Sequence, residues 1–324
     1  MDPQDSSLLR EPDAQSAVAA RQRRPRGSGF ILAAATAWCR LEAIASLQAD
    51  LREHPFLTRT LDSVQRLSGA ALAASLDTDE KSRLTVKLYD FYPAQKAAGN
   101  DLFEVESAVF ARRLPRPPSR ILVGACGTGR EAVALAAQGY RVEAFDPADD
   151  CVAESRRRLA GRALVRRWSY EQLSAIVLDE ARSNGLAHDR FDAVVLGCGS
   201  LSHVLEEREH RRLMQALHAL CPSGPIIASF LSVERPSADP PVGRASRLGT
   251  RIGGTIAHMR GMLPGDSQRL TYRARRGFAY TFTKREVEDL ALDVNRRVIW
   301  ERHAARPSLY ATFLPPGETL SRDH

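Results

Sequence analysis

The chain has 324 residues, with 46 basic and 39 acidic side chains and a formal net charge of +7. That length supplies one full-sized core and room for an accessory region. No run of about 18 apolar residues occurs, so no membrane-spanning helix is expected. The five cysteines (Cys39, Cys126, Cys151, Cys198 and Cys221) show no C-x-x-C pairing, so a reduced cytoplasm is expected and neither zinc nor a disulfide framework is indicated.

Residues 1–28 are polar, contain Pro and Arg, and read as a disordered tail. The basic run Arg21 to Arg26 precedes an apolar stretch, as in a secretory signal, but Arg40 and Glu42 interrupt it too soon. Phe30, Ile31, Trp38, Leu41, Ile44 and Leu47 instead mark an amphipathic helix, and Leu57, Leu61, Val64, Leu67 and Ala71 continue the helical period. Residues 29–105 are therefore expected to form an N-terminal helical cap. Residues 106–324 are expected to form the core, with Pro115, Pro117 and Pro118 marking the linker into its first strand.

Ile121 to Val123 read as a strand buried on both faces, and Gly124, Gly127 and Gly129 follow as a glycine turn. Thr128 and Glu131 have the capping-box spacing of a helix start, Gly139 ends the helix, and Val142 to Phe145 form the next strand. Asp146 at its tip, followed by Pro147, is placed to accept hydrogen bonds from two ribose hydroxyls. Strand and helix then alternate to about residue 230, which implies a parallel sheet with right-handed crossovers. Residues 234–278, opened by Pro236, Pro240, Pro241, Gly243, Gly249, Gly253 and Gly254, read as a lid-like insertion that ends in a hairpin. A capping box at Thr283 and Glu286 starts the last helix, and Arg297–Trp300 and Leu309–Leu314 read as closing antiparallel strands.

Gly127 to Ala132 fits the dinucleotide fingerprint G-x-G-x-x-A, which leaves an NAD(P)-dependent oxidoreductase open. The whole order of segments, however, resembles class I S-adenosylmethionine (SAM)-dependent methyltransferases. Cys126-Gly127-Thr128-Gly129 matches their first motif, with Ala125 in place of its first glycine and Val123 in place of its acid. Trp168 to Leu173 resembles the adenine loop with Ser169 for the acid, and Cys221-Pro222-Ser223-Gly224 resembles the turn before the fifth strand. The resemblance covers roughly residues 105–315. It implies a Rossmann-like, doubly wound, mostly parallel seven-stranded sheet with an antiparallel last strand. It also implies SAM as cofactor, held by Gly124, Ala125, Cys126, Gly127, Gly129, Glu131, Asp146, Pro147, Ser169, Tyr170 and Gly197.

Methyl transfer to oxygen or nitrogen requires removal of a proton from the acceptor. His203, just beyond the fourth strand, is the candidate base, with helix capping as its structural alternative. Tyr89 and Tyr92 either cover SAM's amino-acid end or pack the cap. The loop Gly197 to His203 contains no Phe, Trp or Tyr to stack on a flipped base, which favours a small-molecule acceptor over nucleic acid. Arginine clusters lie on several different elements, as solvated helix faces do, although an RNA methyltransferase and a non-catalytic SAM-fold binding module remain alternatives. No membrane partner is expected, and the oligomeric state is left open.

Overall fold

The computed structural model of the chain describes residues 27–45, 55–91, 101–184, 191–233, 243–262, 269–273, 276–301 and 308–316. The expected tail is outside this set apart from residues 27 and 28, and Tyr92 also lies outside it. Among the described residues four helices precede the first strand: α1 (Ser28–Ala45), α2 (Pro55–Ser75), α3 (Thr78–Phe91) and α4 (Glu104–Arg113). The core then alternates β1 (Arg120–Gly124), α5 (Arg130–Ala137), β2 (Arg141–Asp146), α6 (Asp149–Leu159), β3 (Leu164–Arg167), α7 (Tyr170–Asn184), β4 (Ala193–Leu196), α8 (Glu207–Leu220) and β5 (Ile226–Ser232). Next come α9 (Arg244–Met259), the hairpin β6 (Leu270–Arg273) and β7 (Gly277–Phe282), α10 (Lys284–Leu292), β8 (Arg297–Glu301) and β9 (Ser308–Leu314).

Strands β3, β2, β1, β4 and β5 pair in that order, all parallel. Strand β9 runs antiparallel along β5 and pairs with β8 on its other edge. These seven strands are the expected doubly wound sheet with its antiparallel closing strand. The β6–β7 hairpin is an addition, joined to the tip of β5 at Leu231 and Ser232. One face is buried by α4, α5 and α6 through Val109, Phe110, Leu135, Val152 and Leu159. The other is buried by α7, α8 and α10 through Leu173, Val177, Leu217, Val287 and Leu290.

The glycines of the insertion serve a different purpose from the loop expected of them. Gly249 and Gly253 lie within α9, facing α2. A Cβ at Gly249 would stand 2.1 Å from the Leu67 carbonyl oxygen, and one at Gly253 would stand 2.3 Å from that of Ala71. Ala70 and Ala74 complete the small-residue seam on α2. Absence of side chains lets the two backbones touch, so the insertion and the N-terminal helices pack as one cap. Arg260, just after α9, is buried and donates to Glu80 Oε1 at 2.5 Å, to Ser28 Oγ at 3.1 Å and to the Ser75 carbonyl. Burial pushes the Glu80 carboxyl up, but hydrogen bonds from Arg260, the Asp77 N–H and Ser28 together outweigh it and hold the group below its ordinary value. Leu32, Cys39, Leu76, Leu84 and Leu88 of the cap bury against Phe278 of the hairpin and Leu205.

Candidate active site

β1 ends in a turn whose backbone alternates into the left-handed region, with φ of 46° at Ala125, 55° at Gly127 and 84° at Gly129. The turn is fixed to the neighbouring strand. Asp146 Oδ2 accepts from the Gly127 N–H at 2.8 Å, Asp146 Oδ1 accepts from the Ala148 N–H at 2.9 Å, and the Cys126 N–H donates to the Phe145 carbonyl at 3.0 Å. Asp146 is buried, while Pro147 is half-buried beside it.

The two later glycines have separate reasons. A Cβ at Gly129 would collide with Ser155 Oγ at 2.5 Å, so Gly129 is required by the approach of α6. A Cβ at Gly127 would meet nothing within 4 Å. Gly127 therefore presents bare backbone to open space beside the Asp146 carboxylate, as a nucleoside site requires. Gly124 is packed instead against Leu196 and Phe145.

The expected capping box at Thr128 and Glu131 does not form. Gly129, in the left-handed region, is the residue that precedes α5, and no side chain caps it. Thr128 instead offers its carbonyl to Arg158 Nη1 at 2.8 Å, and the Glu131 carboxyl accepts from Arg130 Nη2 at 2.7 Å. Arg130 also reaches Glu106 with both terminal nitrogens, at 2.5 and 2.8 Å, and its guanidinium lies 3.8 Å from the centre of the Phe103 ring. Glu106 further accepts from the Tyr310 hydroxyl at 2.9 Å and the Phe103 N–H at 2.8 Å. Tyr310 in turn accepts from the Cys198 N–H at 3.1 Å. Burial, partly offset by Arg130, pushes the Glu131 carboxyl up to about 7.

Across the crevice, Gly197 follows β4, and Cys198 holds a φ of 54°. Ala125 and Cys198 thus place two strained non-glycine residues at the ends of adjacent strands β1 and β4. Such strain gathers at functional sites. A short 3₁₀ turn, Ser200–His203, then brings His203 to Tyr89 of α3. The Tyr89 hydroxyl lies 2.9 Å from His203 Nε2, and His203 Nδ1 lies 3.0 Å from the Phe278 carbonyl. Burial raises the Tyr89 phenol well above its usual pKa.

The other anticipated residues divide. Ser169 caps α7, accepting from the Gln172 N–H at 3.2 Å while its own N–H donates to Gln172 Oε1 at 2.9 Å. Tyr170 is buried edge-on against Phe145 and donates its hydroxyl to Ser200 Oγ at 2.9 Å, so it serves packing. His210, in α8 and not among the anticipated residues, is buried and bonded to the Val204 carbonyl at 2.8 Å, a structural histidine. Sequence reasoning did not single out Arg130, Glu106 or Tyr310. The only signal for them was an arginine at the start of an otherwise apolar helix. Among the described residues no cluster of His, Cys, Asp and Glu could hold a metal ion, and no helix is long and apolar enough to cross a membrane.

Residues 121–224, from β1 to the turn before β5, match the profile of a methyltransferase domain. Over this segment the resemblance to class I, SAM-dependent methyltransferases is supported. A demethylmenaquinone methyltransferase of Clavibacter sepedonicus is 35% identical over 140 residues, which are 43% of this chain and 51% of that protein. The chain thus spans about half the length of the curated relative it matches. Among solved structures, magnesium protoporphyrin IX methyltransferase from Synechocystis with bound SAM is similar at a TM-score of 0.44 and 12% identity, covering 74% of this chain and 98% of that one. A protein from Rhodobacter sphaeroides described as a putative zinc-dependent alcohol dehydrogenase is similar at 0.47 and 16%, covering 72% and 98%. SAM is the cofactor of the methyltransferase family. The residues present fit it: Asp146 offers a pinned carboxylate beside the open backbone of Gly127.

Proposed function

We propose that the chain transfers a methyl group from SAM to an oxygen or nitrogen of a small-molecule acceptor. The observation that carries this reading is the Asp146 carboxylate bonded to Gly127, the glycine over which a Cβ would meet only open space. Asp146 and the backbone of the Gly124 to Gly129 turn would hold the adenosine and sulfonium portions, with Pro147 and the Ser169 hydroxyl flanking the base. SAM supplies a methyl group already activated by its sulfonium, so no metal or covalent enzyme intermediate is needed.

The proton of the acceptor is taken by the pair Tyr89 and His203. A carbonyl oxygen only accepts, so the Phe278 carbonyl fixes the proton of His203 on Nδ1 and leaves Nε2 as the acceptor of the Tyr89 hydroxyl. An acceptor hydroxyl on Tyr89 Oη passes its proton to that oxygen as Tyr89 gives its own to His203 Nε2. Burial keeps the phenol neutral beforehand, so it relays a proton without standing as a phenolate. Helix α3 of the cap packs against α6 and β7 and carries Tyr89 to the end of β4. All five cysteines carry free thiols, which suits a reducing cytoplasm.

Calorimetric titration with S-adenosylhomocysteine is the direct test, followed by transfer of labelled methyl from SAM into a metabolite extract. Binding in the micromolar range and a labelled small molecule are expected. Binding of NADH but not S-adenosylhomocysteine overturns the reading in favour of an oxidoreductase, and binding without any labelled product favours a non-catalytic module.

A further inference from the structure

Val123 leaves the end of β1 without a carboxylate, yet a buried carboxyl does stand between the ends of β1 and β4. It belongs to Glu131, and it lies against Gly197: a Cβ added there would stand 2.6 Å from Glu131 Oε1. We propose that Glu131 takes the ammonium of SAM's amino-acid end, supplying from α5 the negative charge that β1 lacks. The assignment rests on the methyltransferase reading above.

Charge counting supports it. One guanidinium, Arg130, stands between two carboxylates, Glu106 and Glu131, which leaves an excess of one negative charge in a buried cluster. Glu106 is satisfied by both Arg130 nitrogens, the Tyr310 hydroxyl and the Phe103 N–H. Glu131 shares only one of those nitrogens, Nη2. Glu131 is therefore the less fully bonded of the two carboxyls. Burial raises the carboxyl's pKa most, Arg130 opposes that rise, Glu106 adds to it and Arg158 opposes it again. A cation arriving at Gly197 would neutralise the cluster, whereas an uncharged ligand there would leave it unbalanced. The bare Cα of Gly197 is what admits the carboxyl to the crevice, and the strained Ala125 and Cys198 flank it on either strand end.

The test compares S-adenosylhomocysteine with 5′-methylthioadenosine, which keeps the nucleoside and thioether but lacks the amino-acid chain. Both are titrated calorimetrically into the wild-type chain and Glu131→Gln. Loss of a charge-assisted hydrogen bond is expected to weaken S-adenosylhomocysteine about 10- to 100-fold and to leave 5′-methylthioadenosine within about twofold. Failure of the wild-type chain to bind either compound overturns the methyltransferase reading itself. Binding of both, with the substitution changing them equally or not at all, overturns only the Glu131 assignment. A second measurement needs no variant. In two buffers of different ionisation enthalpy near pH 7, S-adenosylhomocysteine binding should release a fraction of a proton from Glu131 and 5′-methylthioadenosine none. Equal proton counts for the two compounds overturn the assignment.

Discussion

The Tyr89 hydroxyl and His203 Nε2 lie 2.9 Å apart although 114 residues separate them in the chain. The contact joins the cap to the end of β4 and orients the imidazole from one side while Phe278 orients it from the other. Removing either member should therefore damage proton transfer and spare cofactor binding. Tyr89→Phe and His203→Gln are each expected to lower kcat by about 10²- to 10⁴-fold, the range of general-base catalysis. S-adenosylhomocysteine affinity should stay within about threefold. A loss of affinity that matches the loss of rate would place the pair in binding instead.

Asp146→Ala removes the acceptor of two backbone N–H groups at once. Hydrogen bonds to a charged group contribute about 1.5–3 kcal/mol each, so the turn should loosen as well as lose its ribose contact. Affinity for both S-adenosylhomocysteine and 5′-methylthioadenosine should fall at least about 100-fold, with a lower Tm. Calorimetry on Asp146→Ala beside Asp146→Asn separates the effects, since Asn keeps one carbonyl acceptor and should recover part of the Tm.

The α2–α9 seam should tolerate no side chain at Gly253. Gly253→Val forces the helices apart, and overpacking of this kind costs about 1–3 kcal/mol. Limited proteolysis should cut the cap of the variant while the β1–β5 core stays resistant. Uniform resistance would show that the cap absorbs the change.

Glu131 also sets a pH dependence. Its folded-state pKa, about 7, lies above its ordinary value of 4.5. Between those values the folded chain holds a proton that the unfolded chain has released. This contribution favours folding most below pH 4.5 and is lost as pH rises through 7. Glu131→Gln should flatten the fall of stability across that window, measured as the difference in denaturant midpoint between variant and wild type at pH 5 and pH 7.5.

Much of the core was legible because its signals are local. The turn, the β2 acid and the Thr283–Glu286 box are all written within a few residues, and the last of these forms with Glu286 N to Thr283 Oγ1 at 3.2 Å. The Thr128–Glu131 spacing was equally local and misled, because Gly129 rather than Thr128 precedes the helix and the Glu131 carboxyl pairs with Arg130. The arginines scattered along the chain could not be apportioned from sequence. Arg296, for one, is buried and donates to the carbonyls of Cys221, Pro222, Gly224 and Phe313, tying the turn before β5 to β9. Gly249 and Gly253 read as loop residues because their partner, the alanine face of α2, lies about 180 residues earlier in the chain.

That separation orders events on the ribosome. Helix α2 is made before any strand of the sheet, but its alanine face has no backbone to rest on until α9 has emerged. Strands β1 to β5 are all synthesised in the interval, so the nucleoside crevice can take shape while still uncovered. The α2–α9 seam can close only after those strands are made, so α2 waits for just over half of the chain.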